Sequence, residues 1–408
     1  MVTKLGFFVV GVFFVFLMAF LWSSDRKKIR YNYLALILVV QVALAYFFLR
    51  SSVGESIVGV IVVGFDNLLR CAANGTRFIF GSLTDMDGGH VFFFAVGMPI
   101  VLMSALIGIL QYLKILPFTV KVVGFILSKI TGMGKLESFN AVSSLSVGQS
   151  ENFIAYKKIL DHLPANVLYT MAATAMSTVS LAISGAYMGM LSVDNGFDPK
   201  FVIVAMVLNM FGAFFVITVI NPYEKSEDIS FDNLHEKYDE EATEKQSFFE
   251  MLAEYILDGF KVAVIVCAML IGFIALLSLI DVVFKSIFGI TFTDILGYVF
   301  YPFAWVLNIS SDQVHLAGQI MGTKMVSNEF AAIDLMTKHV SDLSYHTKAV
   351  LSVFLISFAN FSSIGIIIGA IQALSKNAAV QVARFSLKIL YGATLVSLLS
   401  AVIVGLVV

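Results

Sequence analysis

Gly148-Gln149-Ser150-Glu151-Asn152 is the stretch whose reading decides the fold of this chain. Phe139-Asn140-Ala141-Val142-Ser143-Ser144-Leu145-Ser146-Val147 precedes it, and Phe153-Ile154-Ala155-Tyr156 follows. Glu151 is its only carboxylate, and the surroundings do not have the composition of a water-facing loop. A carboxylate and two amides at membrane depth are expensive, so they belong on a cavity or a bundle interior. A second such stretch is Val326-Ser327-Asn328-Glu329-Phe330-Ala331, again a glutamate beside an amide and a hydroxyl. Two copies of one unusual pattern point to an internal repeat.

Composition supports the membrane setting. The 408 residues are 59% hydrophobic and 13% charged, against about 25% charged in soluble domains. The chain therefore reads as an all-α polytopic membrane protein. The net charge of −2 says nothing about nucleic acid, but no basic block exists that could serve as a nucleic-acid face. Cys71 and Cys267 lie in apolar contexts and form no CxxC motif. The six histidines lack ligand spacing, so no metal site is expected. The sequence holds no GxSxG, HExxH or GxxxxGK[ST] motif, and no cofactor or ATP-driven step is expected. Sequons at Asn74, Asn308 and Asn360 carry little weight, and Asn360 sits in a predicted membrane segment.

Leu5 to Ser24 is uncharged and about one bilayer thick. It ends in Phe20-Leu21-Trp22 without a small-residue cleavage site, so we read a retained helix. Arg26-Lys27-Lys28-Ile29-Arg30 should be cytoplasmic, which places the N-terminus outside. Tyr31 to Leu49 is a second crossing. Residues 51–90 are mixed: Ile57 to Phe65 is short, and Asp66, Arg70, Arg77, Asp85 and Asp87 follow, so an interfacial helix plus an extracytoplasmic loop is expected. Val91 to Leu113 is a third crossing, and Leu116 to Ile130, with Lys121 and Lys129, an interfacial helix.

Glu137 to Leu160 is too polar at its centre to face lipid. Gly148 permits a tight turn there, which predicts a re-entrant hairpin with its tip at Gln149. Non-helical backbone at that depth is allowed only beside protein or a water cavity. Leu163 to Val193 is 31 uncharged residues with Thr174, Ser177, Thr178, Ser180 and Ser184, which predicts a tilted or broken helix. Phe201 to Tyr223 crosses next, and 224–246 is a hydrophilic cytoplasmic loop. Phe248 to Ile280 is a long helix, and 281–309 is partly interfacial. Ser310 to Tyr345 holds the second polar motif and predicts a second hairpin. Ala349 to Ser375 has the polar centre Ser357-Phe358-Ala359-Asn360-Phe361-Ser362-Ser363, and Ile389 to Val408 is the last crossing.

This gives two opposed re-entrant hairpins and interfacial helices among the crossing helices. Its parts are 1–90, 91–136, 137–223, 224–308 and 309–408. Glu151 precedes Ser177 by 26 positions, and Glu329 precedes Asn360 by 31. Each unit is a hairpin, a polar-centred helix and a final helix, and an odd number of crossings between them makes an inverted-topology repeat. A substrate then belongs near the midplane between the hairpin tips. Gln149, Ser150, Glu151, Asn328, Glu329, Asn360 and Ser363 offer donors and acceptors without a cationic partner, which suits a neutral, polyhydroxylated or amide-bearing solute. Helix stitching is the bland alternative. An ion pair between Lys324 and Glu329 is a competing structural role, and Phe358 and Phe361 pack on a ring or belong to the core.

Gly148-Gln149-Ser150-Glu151, Val326-Ser327-Asn328-Glu329-Phe330 and Ser357-Phe358-Ala359-Asn360-Phe361-Ser362-Ser363 resemble signature stretches of the concentrative nucleoside transporter family. Asn140-Ala141-Val142-Ser143-Ser144 and Asn221-Pro222-Tyr223 bring the bacterial proton-linked nucleoside permeases nearest. The resemblance spans essentially the whole chain. It implies eight transmembrane helices and a homotrimer in membrane lipid, with one nucleoside path per protomer. It also implies an elevator-like movement of the hairpin-bearing part against a scaffold that includes the third and sixth helices. By motif, Gln149, Ser150 and Glu151 would face the nucleobase. Glu329, Asn360 and Ser363 would hold the ribose hydroxyls, with Phe358 beside the sugar. Sodium-coupled relatives have asparagine where this chain has Ser144, while Ser177 is retained. That favours a proton over sodium as coupling ion, with Glu151 ahead of Glu329 as its carrier. A passive channel and a membrane enzyme are the rival classes; two closed hairpins argue against the first, and the lack of a nucleophile, base or metal constellation against the second.

Short Lys/Arg-rich loops stay inside. A single cysteine placed at Lys28 should therefore resist a membrane-impermeant thiol reagent added outside, and labelling there would overturn the orientation.

Overall fold

The structure, a computed structural model, describes residues 2–84, 91–149, 151–157, 159–224 and 247–408. The expectations that fall on Asp85, Asp87, Ser150, the Glu151 side chain and residues 225–246 lie outside the described residues. Among the described residues every regular element is helical. Helices α1 (Val2–Leu21) and α2 (Tyr31–Arg50) flank a 3₁₀ turn at Arg26–Lys28, where Asp25 accepts from the Lys27 amide. Helix α3 (Ser52–Phe80) follows at once, its first turn capped by Ser51.

Helix α3 differs from expectation. It runs unbroken through Asp66, Arg70 and Arg77 instead of yielding to a loop. Glu55, Asp66, Arg70 and Arg77 recur at helical spacing, so one stripe carries the charges. Asp66 and Arg70 also pair at 3.0 Å one turn apart. Among the described residues eight stretches are long and apolar enough to cross a membrane, and α3 is among them. The region 349–375 is not; its apolar helix, Phe361–Leu374, has 14 residues.

The rest of the chain is two matching series. The first is α4 (Met98–Tyr112, entered through a π-turn at Phe93–Gly97), α5 (Ile115–Thr131), α6 (Lys135–Val147), a 3₁₀ turn (Glu151–Tyr156), α7 (Ala165–Met176), α8 (Leu181–Met190) and α9 (Lys200–Ile220). The second is α10 (Phe248–Phe288), α11 (Phe292–Val306), α12 (Val314–Val326), α13 (Glu329–Lys338), α14 (Tyr345–Leu355), α15 (Phe361–Leu374), α16 (Lys376–Arg384) and α17 (Ser386–Val407). In each, a helix turns back through a left-handed residue (Gly132 at φ +68°, Asn308 at φ +58°) into the helix bearing the polar motif. In each, the next helix is broken in two, at Ser177–Ser180 and at Ile356–Asn360.

Gly148 ends α6 at φ +126°, a conformation in which a side chain would be strained, so glycine is what lets the chain turn there. The second motif turns without glycine. Asn328 sits in extended backbone and caps α13 by accepting the Ala331 amide at 3.0 Å. Its amide is thus a structural cap rather than an open donor–acceptor pair.

The core sits where the two series meet. Helices α9 and α17 are the most completely buried and pack on each other, with α1 and α2 against them. Helix α10 packs along α4 but keeps most of its apolar surface exposed. It runs on to Phe288, past the expected end at Ile280. At about 1.5 Å per residue, its 41 residues span roughly 60 Å, far more than a hydrocarbon core.

Helices α11 and α12 approach through glycine: a Cβ at Gly318 would stand 2.4 Å from the Gly297 carbonyl oxygen. Backbone cannot swing aside as a side chain does, and overpacking typically costs about 1–3 kcal/mol. Gly318→Val should lower the melting temperature in detergent by several degrees. Gly369→Ala, which meets nothing within 4 Å, should leave it unchanged.

Candidate functional site

Glu329 is buried at the first turn of α13, and two elements hold its carboxylate. Tyr187 on α8 donates its phenol to Oε1 at 2.6 Å. Asn360, at the break between α14 and α15, donates Nδ2 to Oε2 at 2.7 Å. Asn360 has no choice of orientation. Its Oδ1 caps α15 by accepting the Ser363 amide at 2.8 Å and the Ser362 hydroxyl at 2.7 Å, which turns its NH₂ towards Glu329. Ser363 Oγ in turn accepts from Gln149 Nε2 at 3.3 Å. One chain of polar contacts therefore joins the first polar turn to the second, through Gln149, Ser363, Asn360, Glu329 and Tyr187.

The structure brings together four residues named from the sequence: Gln149, Glu329, Asn360 and Ser363. Gln149 Oε1 is buried and has no hydrogen-bond partner among the described residues. Phe358 is buried two residues from Asn360, and its amide donates to Thr178 O at 3.3 Å, so the two helix breaks touch. Phe361 is a correction. It opens α15 with 46% of its surface exposed and is not part of the core.

The ion pair of Lys324 with Glu329, weighed as a competing role, is not made. The Lys324 ammonium is 1% exposed and donates to Phe354 O (2.5 Å), Ser357 Oγ (2.7 Å) and Ser397 Oγ (3.3 Å), with its charge 4.5 Å from the Phe354 ring centre. It satisfies a carbonyl that the end of α14 leaves open. Asn209 on α9 does the same for Ile356 O at 2.7 Å. Two side chains on other helices thus close the backbone that the break exposes.

Ser144 and Ser177 lie apart from this chain of contacts. Ser144 Oγ donates to Asn140 O and accepts from Asn152 Nδ2, both at 2.7 Å. Asn152 Nδ2 also reaches Asn140 Oδ1 at 2.7 Å, and Asn140 Nδ2 donates to Met171 O and Thr174 Oγ1, each at 2.9 Å. Ser177 Oγ donates to Ala173 O at 2.6 Å. Among the described residues no three His, Cys, Asp or Glu side chains cluster as a metal site.

Sequence reasoning missed Tyr187 and the roles of Asn209 and Asn152. Asn152 stood inside the quoted motif, and Asn209 is the one amide in the apolar helix α9. Nothing in the run around Tyr187 pairs it with a glutamate 142 positions later.

Residues 201–405 match the family model for the C-terminus of Na⁺ dependent nucleoside transporters, residues 10–83 match the N-terminal model, and residues 93–194 match a nucleoside recognition (Gate) model. The chain belongs to the concentrative nucleoside transporter family. The purine nucleoside transport protein NupG of Bacillus subtilis is 32% identical over 401 residues, 98% of either chain. The nucleoside permease NupC of Helicobacter pylori is 28% identical over 417 residues, 98% of this chain and 97% of that one. The structure of CNTnw in an inward-facing substrate-bound state superposes with a TM-score of 0.91 at 27% identity, covering 100% of this chain and 98% of that one. A two-site CNTnw variant in an outward-facing state gives 0.89 at 26%, covering 98% and 97%. The protein is thus a nucleoside transporter and not an enzyme, a multi-pass protein of the bacterial inner membrane.

Lys324→Met keeps the length of the side chain but leaves Phe354 O and the two serines without their donor. A buried group left unpaired costs about 1–3 kcal/mol. Purified Lys324→Met should therefore melt several degrees below wild type, and an unchanged melting temperature would show that the break is closed by other means.

Proposed function

We propose that this nucleoside transporter is a secondary active symporter in which Glu329, Asn360 and Ser363 hold the ribose and the Gln149-Ser150-Glu151 turn meets the nucleobase. The observation that carries the reading is the unbroken contact chain from Gln149 to Glu329 across both polar turns. A carboxylate accepts from vicinal hydroxyls, and each carboxylate oxygen has room for a second donor. The unpartnered Gln149 Oε1 suits an N–H on a base edge. Phe358 packs beside the sugar.

Helices α6 and α12, each with its return segment, are read as two re-entrant hairpins of opposite entry, forming an inverted repeat. Residues 137–223 and 309–408 then move as the substrate-bearing body, elevator-fashion, against a scaffold that includes α4 and α10. The outward apolar faces of α3 and α10 suit lipid and the partner protomers of a homotrimer.

The coupling ion is read as a proton. A bound Na⁺ needs a cage of hard oxygen ligands. Ser144 Oγ is already directed at a backbone carbonyl and faces the NH₂ of Asn152, and Ser177 Oγ is directed at Ala173 O. A proton needs only a carboxylate, and Glu151 is favoured because Glu329 is assigned to the ribose. Sodium coupling is the second reading, since the matching family models are described as Na⁺ dependent.

Two measurements follow. Loss of a hydrogen bond to a charged group costs roughly 1.5–3 kcal/mol, so Glu329→Gln should weaken uridine binding about tenfold or more, and free uracil should compete poorly. Normal uptake by Glu329→Gln, or strong inhibition by uracil, would remove the ribose assignment. In proteoliposomes, an inward pH gradient in sodium-free buffer should drive uridine accumulation, and a sodium gradient at constant pH should not. Stimulation by sodium alone would replace the proton with sodium.

A further inference from the structure

Tyr187 has no place in the reading so far. It is wholly buried, lies on α8 in the first series, and reaches Glu329 in the second. Its ring packs at a tilt of 32° against Phe330, the neighbour of Glu329, with centroids 4.7 Å apart, and Phe330 meets Phe92 edge-on at 6.0 Å. The phenol is therefore held by packing before it makes its hydrogen bond. Tyr187 Oη and Asn360 Nδ2 approach different oxygens of the carboxylate. Together they fix the plane of the carboxylate, each taking one acceptor position on its own oxygen.

We infer that Tyr187 is a positioning residue that sets sugar specificity: by holding Oε1 it turns the Glu329 carboxylate so that both oxygens accept from a vicinal diol. The inference rests on the reading that Glu329 binds the ribose. A diol needs both free acceptor positions on the same side of the site, one per hydroxyl. A sugar with a single hydroxyl needs only one and tolerates a carboxylate that has rotated. Removing the phenolic hydrogen bond frees Oε1 to rotate about the side-chain bonds, while Asn360 still holds Oε2. The diol then loses its two-point fit, and the single hydroxyl keeps its one contact. Tyr187 thus acts on the difference between ribonucleosides and 2′-deoxynucleosides more than on binding in general. It also makes the fit depend on both series of helices, because a side chain from the first orients the sugar-binding carboxylate of the second.

The test is the uridine to 2′-deoxyuridine ratio of KM or Kd, measured for wild type, Tyr187→Phe, Tyr187→Leu and Glu329→Gln. Tyr187→Phe keeps the ring on Phe330 and deletes only the hydroxyl. Tyr187→Leu removes the donor by a different shape, so failure of one variant to fold leaves the other. Loss of a hydrogen bond to a charged group corresponds to about tenfold. Tyr187→Phe should weaken uridine by about that factor and 2′-deoxyuridine much less, so the ratio narrows; leaving the buried Glu329 oxygen short of a donor also lowers detergent stability, whichever substrate is measured. If both substrates weaken equally, or neither changes, Tyr187 is a packing residue and the inference is overturned. Glu329→Gln separates the two claims. If it abolishes the preference while Tyr187→Phe and Tyr187→Leu retain it in full, the ribose reading stands and the role of Tyr187 falls. If Glu329→Gln itself keeps the full preference, the ribose reading falls and takes the inference with it.

Discussion

The structure depends on satisfying backbone that is opened inside an apolar bundle. Both broken helices free carbonyls and amides where water is scarce, and each unpaired group would be costly there. At the second break, the Lys324 ammonium takes Phe354 O and the Asn209 amide takes Ile356 O. The two breaks also pair with each other, Phe358 N to Thr178 O. This arrangement lets α14 end and α15 begin mid-bundle, and α15 begins with Asn360 as its cap. The capping requirement and the presentation of a polar side chain to the site are thus met by one residue.

The same economy applies to Glu329. It opens α13 immediately after the Asn328 cap, at the helix end where a carboxylate is favoured by the peptide dipoles. Its oxygens are divided between α8 and the α14–α15 break, so its orientation is decided by elements that are distant in sequence. The polar contacts then run on to Gln149 at the end of α6. A ligand seated among these residues touches both series at once, which is the geometry expected where two halves of a transporter meet.

The two polar turns differ in construction. The first uses Gly148 at positive φ and a hydroxyl–amide network around Asn140, Ser144 and Asn152. The second uses an asparagine cap and close glycine packing of α12 on α11. Equivalent position in a repeat therefore does not imply equivalent chemistry. The first turn is surrounded by amides and hydroxyls, whereas the second supplies a buried carboxylate.

Much of this was legible in the chain. Apolar length marks crossing helices because each must span the hydrocarbon core, and a glutamate beside amides in such a run has to face inward. That located Gln149, Glu329, Asn360 and Ser363, the repeat, and the break near Ser177. Charges were less faithful guides: those of α3 suggested a loop, yet they fall on one stripe of a continuous helix. What the sequence could not supply were pairings across long separations. That Lys324 closes a helix break instead of pairing with Glu329, that Asn209 answers Ile356, and that Tyr187 orients Glu329 are all decided by which helices lie side by side. Local periodicity sets which face of a helix is polar. Only tertiary packing chooses the partner that meets it, because a hydrogen bond needs its donor within about 3 Å and the chain does not record that distance.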